Sequence, residues 1–405
     1  MIPHIRVVAF ALALVGALWS PGEAAARPAA VRAVPGVGII RLGDSASLGA
    51  VHFPASAYVI LGPHLTRYAR STRALNPATE TLAYKSSMDL DMTCAGGPST
   101  CRTGVSYGEA QAHDAKAPPA DRWVLTDASG SPMVSREYPQ IALADVGSPS
   151  FQQRWIANVS GFLRKSHFSG VFVDNVLGDL SGWSNGRFPA KYENDAAWQR
   201  AMLSFIARVG PALRKQGYFV AANAYKPFPQ TAAWWRQIAR ATDALMSEYW
   251  QQDPNNPSVL YTSDAASWTG HWDYWESLVE IAQRAGSSFF GLQFGDPSDI
   301  RLMRFGRASF LLAWNGKRGA YFFSPRAEVD PWQQAWTADV GRPVAPRHRV
   351  GYGWRRDFAQ GTVLLNPSAS HPQAFPLGGR YIVPGGGRPA SVTLEPTTAL
   401  ILHRG

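Results

Sequence analysis

Two acidic side chains, Asp174 and Glu248, each stand at the end of a short apolar run. Gly170-Val171-Phe172-Val173 leads into Asp174-Asn175, and Ala244-Leu245-Met246-Ser247 leads into Glu248-Tyr249-Trp250. Two carboxyl groups facing one another can cleave an acetal: one attacks the carbon or activates water, and the other protonates the departing oxygen. An acid beside rings such as those of Tyr249 and Trp250 keeps its proton to higher pH, which suits the proton donor. Each residue also reads as a capping or salt-bridged carboxylate at a strand end. The pair gains meaning only if one scaffold brings both ends to the same place.

Other polar residues sit at comparable positions. Asn175 and Asn223 could hydrogen-bond sugar hydroxyls or serve as turn residues. Asp145 closes the run Ile141–Val146 and could bind substrate, orient Asp174 or play a structural part; Gln293 is a weaker candidate of the same kind. Trp183, Trp268, Trp272 and Trp332 fall in expected loops or at helix starts, where an indole either stacks on a pyranose face or packs. Asp89 follows the second strand and can reach the same opening. With Asp91, His113 and Asp114 it could form an oxygen and nitrogen metal cluster, but none of these spacings is diagnostic, and loop solvation and turn formation are the better reading. No metal and no cofactor is assigned. Ser-His-Asp catalysis lacks a GxSxG elbow.

The elements that must position these residues alternate in type. Strands are expected at Tyr58–Leu61, Thr81–Lys85, Ile141–Val146, Gly170–Asp174, Tyr218–Asn223, Ala244–Trp250, Ser288–Gln293 and Ala320–Phe323, with amphipathic helices between them. Eight alternations are the order of a (β/α)8 TIM barrel, in which strand C-terminal ends line the active-site mouth. An open doubly wound sheet alternates too, but no GxGxxG follows a strand. From about Arg347 the texture changes to short strands around Gly361–Pro367, Arg380–Val383, Ser391–Leu394 and Thr398–Leu402. The fold class expected is therefore α/β, a TIM barrel over 58–340 followed by a small antiparallel, β-sandwich-like domain over 347–405.

Composition narrows the partners. Apolar residues make up 46% of the 405-residue chain and charged residues 17%, as in a globular protein with a substantial core. Fifteen Trp and 14 Tyr suit a sugar-binding cleft or an aromatic-rich core equally. The formal charge of +10 favours anionic surroundings, an acidic polysaccharide or envelope lipid among them, whereas scattered basic residues in an exported protein argue against nucleic acid. Residues 1–26 read as a cleaved secretory signal, with an apolar run Val7–Trp19 too short to span a bilayer and small residues before Ala26. Residues 27–57 read as a linker, and no later stretch is apolar for long enough to be transmembrane. The two cysteines, Cys94 and Cys101, are expected to pair as one local disulfide in a secreted or periplasmic protein.

On these residues the sequence resembles hypothetical glycosyl hydrolase family 15. The resemblance runs from about Val59 to the C-terminus. It rests on Asn76-Pro77 before Leu82-Ala83-Tyr84, on Leu143-Ala144-Asp145-Val146-Gly147, on Gly170–Asn175, on Ala222-Asn223 and on Met246-Ser247-Glu248. It implies a barrel related to the α-galactosidase superfamily, with Asp174 as nucleophile and Glu248 as acid/base. A Glu at the sixth strand, where α-galactosidases carry Asp, departs from that pattern. The expected function is an exported glycosidase acting on O-glycosidic bonds of a poly- or oligosaccharide, retention being the favoured outcome. The rival readings are a non-catalytic polysaccharide-binding barrel and a metal-dependent carbohydrate esterase or deacetylase using Asp89, Asp91 and His113.

Overall fold

Short runs of β-branched and aromatic residues, too apolar to tolerate water on either face, assemble as neighbours in a parallel sheet that closes on itself. The computed structural model describes residues 38–43 and 50–405, apart from 98, 185, 226–230, 268–269 and 326–328. In chain order the first strands are Gly38–Gly43 (β1), Tyr58–Leu61 (β2), Glu80–Ser86 (β3), Asp89–Asp91 (β4) and Ile141–Leu143 (β5). Then come Gly170–Leu177 (β6), Phe219–Tyr225 (β7), Ala244–Ser247 (β8), Ser288–Gly295 (β9) and Ala320–Pro325 (β10). Eight of these form a closed barrel in the order β1-β10-β9-β8-β7-β6-β3-β2, every pairing parallel.

The strand count agrees with the sequence expectation, but its membership does not. Ile141–Leu143 is outside the barrel: it pairs antiparallel with β4, Leu90 opposite Ala142, and Ala144 bridges to Val124. An apolar run is equally at home in a small sheet covered by its own loops, so periodicity alone could not separate the two. Its place in the barrel is taken by β1, inside the stretch expected to be linker. Gly170–Leu177 therefore remains the fourth barrel strand and Ala244–Ser247 the sixth. The signal and most of the linker lie outside the described residues.

Side-chain direction follows strict alternation. Tyr58, Phe219 and Phe290 point inward, and their rings meet with centroids 5.5 and 4.5 Å from Tyr58, filling the barrel. By the same parity Tyr84, Phe172, Asp174 and Asn223 point inward, while Lys85 and Gln293 point out beneath the helices. Gly170 is needed for closure, since a Cβ there would lie 2.0 Å from the Phe219 carbonyl oxygen.

The helices cover the outer face. Asp195–Arg214 is capped by Asn194, whose side chain accepts from the Ala197 N–H, and buries Trp198, Met202, Phe205, Ile206, Val209 and Leu213. Pro149–Lys165 is capped by Ser148 rather than Ser150, because Ser150 Oγ accepts instead from the Trp123 indole at 2.7 Å. Between β3 and β6 an excursion carries β4, β5, the helix Tyr107–Asp114 and a turn at Asp127–Ser131. At the opposite, N-terminal face lies a polar cleft of about 680 Å³ lined by Arg73, Glu80, Arg214, Asp243 and Arg318. There Arg214 pairs with Asp243 at 3.2 Å.

The C-terminal region is a four-stranded antiparallel sheet of His348–Val350 (β11), Gly353–Phe358 (β12), Gly361–Asn366 (β13) and, across Gln373–Pro376 (β14) and Ser391–Leu394 (β15), Thr398–His403 (β16). β14 and β15 form their own hairpin-like pair. Arg380–Val383, expected as a strand, makes only an isolated bridge through Tyr381 to Arg404. The sheet docks on the barrel helices: Arg347 reaches Glu276 at 2.5 Å and Glu280 at 3.0 Å, and Trp354 packs 5.8 Å from Trp272.

Candidate active site

The mouth is organised by an irregularity in β6. Against β7 the register runs Val173 to Ala222 and then Val176 to Ala224, so β6 carries one extra residue. Asn175 absorbs it with φ of 57°, a left-handed conformation unusual outside glycine. The bulge is tied down by Ser87, whose N–H donates to the Asp174 carbonyl at 3.0 Å and whose hydroxyl donates to the Asn175 carbonyl at 2.7 Å. The sixth strand ends in the same manner. Glu248 is followed by Tyr249 with φ of 53°, and Gln251 has φ of 58°. Backbone strain of this kind persists only where surrounding contacts enforce it, and it gathers at functional sites.

Asp174 and Glu248 meet through one donor. The Asn223 amide nitrogen lies 2.8 Å from Asp174 Oδ1 and 3.0 Å from Glu248 Oε1, which caps the separation of those two oxygens at 5.8 Å. The other Asp174 oxygen accepts from the Tyr84 hydroxyl. Asp174 is buried, whereas Tyr84, Asn223 and Glu248 keep some surface at the opening. Burial and the neighbouring Asp174 charge push the Glu248 carboxyl up to about 8, against a smaller opposing effect of the Asn223 hydrogen bond. Burial also raises Asp174, while the donors Tyr84 and Asn223 pull it back. A third acid lies alongside. Asp89 accepts from the Asn175 amide at 2.8 Å, and burial, with the Asp174 charge adding to it, raises it to about 7. Its second oxygen is buried without a hydrogen-bond partner.

Such a group can do acid/base work near neutrality. One carboxyl retains its proton while the other, better supplied with hydrogen bonds, is the first to ionise. Asn175 and Asn223 are thus committed to Asp89 and to the acid pair respectively.

Several sequence candidates are corrected. Asp145 belongs to the excursion, not to a barrel strand; fully buried, it is held by the Lys191 ammonium and the Tyr192 hydroxyl, and it orients that loop rather than Asp174. Gln293 has the wrong parity and faces the helix Ile300–Ala313, where Tyr321 donates to it. Tyr249 is buried with its ring 4.8 Å from Phe294, forming wall rather than contact surface. Trp250 turns outward to Phe289 and donates to the Gly306 carbonyl. Trp183 is buried near Tyr138, Trp272 is buried at the seam with the sheet, and Trp332 stacks on His52. Trp268 lies outside the described residues.

The proposed metal cluster does not assemble. Asp91 accepts from Thr93, Asp114 from the Trp123 and Val124 N–H groups, and His113 stacks 3.9 Å from Trp123. Among the described residues no group of three or more His, Cys, Asp or Glu could hold a metal ion. Cys94 and Cys101 form a disulfide. No helix among the described residues is long and apolar enough to cross a membrane.

Tyr84 is the residue that reading the sequence for strand-end carboxylates overlooked. Its signal was available: inward parity on the strand next to β6, two residues before Ser86, which pairs with Asp174.

A (β/α)8 barrel with acidic groups converging in its mouth defines the class, and the chain is a glycosidase. It belongs to hypothetical glycosyl hydrolase family 15, whose family model matches residues 73–362. Among solved structures it is similar to a maltogenic α-amylase, AmyB from Thermotoga neapolitana (TM-score 0.52, 10% identity, 90% of this chain and 98% of that chain). It is also similar to the GH31 dextranase FjDex31A from Flavobacterium johnsoniae in complex with glucose (TM-score 0.50, 11% identity, 92% of this chain and 52% of that chain). The glycoside hydrolase domain of PelA from Pseudomonas aeruginosa aligns at a TM-score of 0.43 (13% identity, 73% of this chain and 96% of that chain). No curated protein matches the chain in sequence.

Proposed function

We propose that the chain is an exported, retaining glycosidase in which Asp174 is the nucleophile and Glu248 the acid/base. The observation that carries this reading is the Asn223 amide shared by the two carboxyls, which caps their closest oxygens at 5.8 Å. Retaining enzymes hold their carboxyls about 5–5.5 Å apart, and inverting ones about 6.5–9.5 Å to admit a water. An ionised Asp174 attacks the anomeric carbon as the bond to the glycosidic oxygen breaks, and Glu248 gives that oxygen its proton. Glu248, now a carboxylate, takes a proton from water, which displaces Asp174 from the sugar. Tyr84 and Asn223 hold the nucleophile's two oxygens. A binding barrel without catalysis would have no use for two acids forced onto one donor.

The substrate class is a poly- or oligosaccharide; the +10 charge supports an anionic one. Export rests on the apolar run and small-residue site of residues 1–26, and the Cys94–Cys101 disulfide fits an oxidising compartment. Fractionating cells and sequencing the N-terminus of the recovered protein tests it, and a protein confined to the cytoplasm with an intact Met1 would refute it.

A screen against exopolysaccharides and aryl glycosides supplies a substrate. On it, Asp174→Asn and Glu248→Gln are expected to lower turnover by roughly 10²- to 10⁴-fold with the fold kept. The Glu248→Gln variant, given an aryl glycoside with a good leaving group, should accumulate a sugar on Asp174, seen by mass spectrometry. Full activity in Asp174→Asn would sink the assignment, and an inverted first-formed anomer would sink retention.

A further inference from the structure

We propose that Arg102 is a positioning residue for this reaction: carried on a loop clamped to β3, it sets a positive charge over the Tyr84 ring that holds Asp174, in a mouth crowded with acids. The inference rests on the proposed role of Asp174 and adds to it a residue from outside the barrel strands.

The electrostatic need is plain. Asp174 is buried and shares its surroundings with two other carboxyls: Glu248, beyond the sixth strand, and Asp89, on β4. Tyr84 from β3 and Asn223 from β7 contribute hydrogen bonds but no charge. The Arg102 guanidinium stands 5.8 Å from the centre of the Tyr84 ring, the same ring whose hydroxyl donates to Asp174. Its charge acts on both groups, favouring the ionised form of each.

The backbone that carries Arg102 is gripped at three successive carbonyls. The Lys85 ammonium donates to the Cys101 carbonyl at 2.5 Å and to the Thr103 carbonyl at 3.4 Å, flanking Arg102 on both sides. Between them the Ser86 N–H donates to the Arg102 carbonyl at 2.7 Å, and Thr103 bridges Ser86 in parallel. Cys101 is tied to Cys94 by the disulfide. Lys85 is fully buried, 5.1 Å from the Phe162 ring, where burial lowers its ammonium to about 7. An apolar side chain would fill that position at less cost in desolvation. A lysine there gains two hydrogen bonds to the loop, and Tyr84 and Lys85, adjacent on β3, thus hold the two ends of one arrangement: the nucleophile inside and the cation-bearing loop outside.

The test reads the Asp174 carboxyl itself. Protein labelled with carbon-13 at aspartate side-chain carboxyls is titrated by NMR, the Asp174 signal being assigned by its loss in Asp174→Asn. Arg102→Met is expected to move the Asp174 midpoint up, and Arg102→Lys to move it less. Lys85→Met, which leaves Arg102 in place but releases its loop, should move it in the same direction. An unmoved midpoint in folded Arg102→Met overturns the proposal, and so does an unmoved midpoint in Lys85→Met for the clamp. With a substrate, the acid limb of kcat/KM should follow the carboxyl midpoint while KM stays constant; a purely structural role would lower kcat without moving that limb. The titration needs no substrate, so its outcome is separate from whether the chain cleaves the glycan tried.

Discussion

Two glutamates of this chain are withdrawn from water and pushed up to about 8, and they do opposite things. Glu248 stands in the barrel mouth; Glu276 lies on the helix Trp272–Arg284, at the seam with the C-terminal sheet. Burial is the largest cause in both. Around Glu276 a cation and an amide lead the opposition to it, ahead of the like charges of Asp273 and Glu280: Arg347 at 2.5 Å, with the Trp272 and Trp354 rings over its guanidinium, and the Gln251 amide at 3.0 Å. Around Glu248 the second cause is another acid, and one amide is the donor both must share. A displaced titration therefore does not by itself mark a site. A buried acid with its own cation is a fastener, while a buried acid facing a second acid, with access to the opening, stores unfavourable energy that catalysis can use.

The largest effect expected from this contrast is in turnover. Glu248→Gln should lose orders of magnitude, whereas Glu276→Gln should lose less than about tenfold, because glutamine at 276 keeps an oxygen for the Gln251 amide. Comparable losses in both variants, measured per folded molecule, would erase the distinction. Stability should divide the other way. Glu276→Gln leaves Arg347 with Glu280 alone and should cost roughly 2 kcal/mol in urea unfolding.

How much of this was legible in the sequence follows from what each signal encodes. The runs ending in Asp174 and Glu248 were readable because an apolar strand stopped by a carboxylate is a local pattern. The barrel was readable because alternation repeats. Ile141–Val146 misled because pairing partners are not written in a strand; β3 skips it to pair with β6 directly. Gln293 misled through parity, which counting from Phe290 would have settled. Asn175 could not be placed by parity at all, since a bulge shifts the count. Tyr84 and Arg102 were hidden for a further reason: each acts across strands or loops, through register and clamping, and neither is an acid at a strand end.

A smaller effect concerns pH. If Glu248 must be protonated to assist departure, kcat/KM should fall above about pH 8 for poor leaving groups. That limb should persist in Glu276→Gln, and in Glu248→Gln it should vanish when the leaving group needs no proton. An alkaline limb that survives in Glu248→Gln would assign it to another group.

The last effect is thermodynamic, and it separates the two acids without any substrate. A carboxyl whose folded value lies near 8, above its unfolded value near 4.5, has no influence on stability below that lower value, where both states are protonated. Between the two values the unfolded chain releases the proton first, so the native state loses ground steadily as pH rises; above 8 the loss is complete. Glu248→Gln removes this penalty and keeps an oxygen for Asn223. Its melting temperature should match the parent near pH 4.5 and exceed it by a growing margin up to pH 8. Glu276→Gln removes a similar penalty but also a partner of Arg347, so it should melt below the parent at pH 4.5 and recover only part of the gap by pH 8. If Glu248→Gln melts below the parent at pH 8, Glu248 is a fastener like Glu276, and the strain read in the mouth is not there.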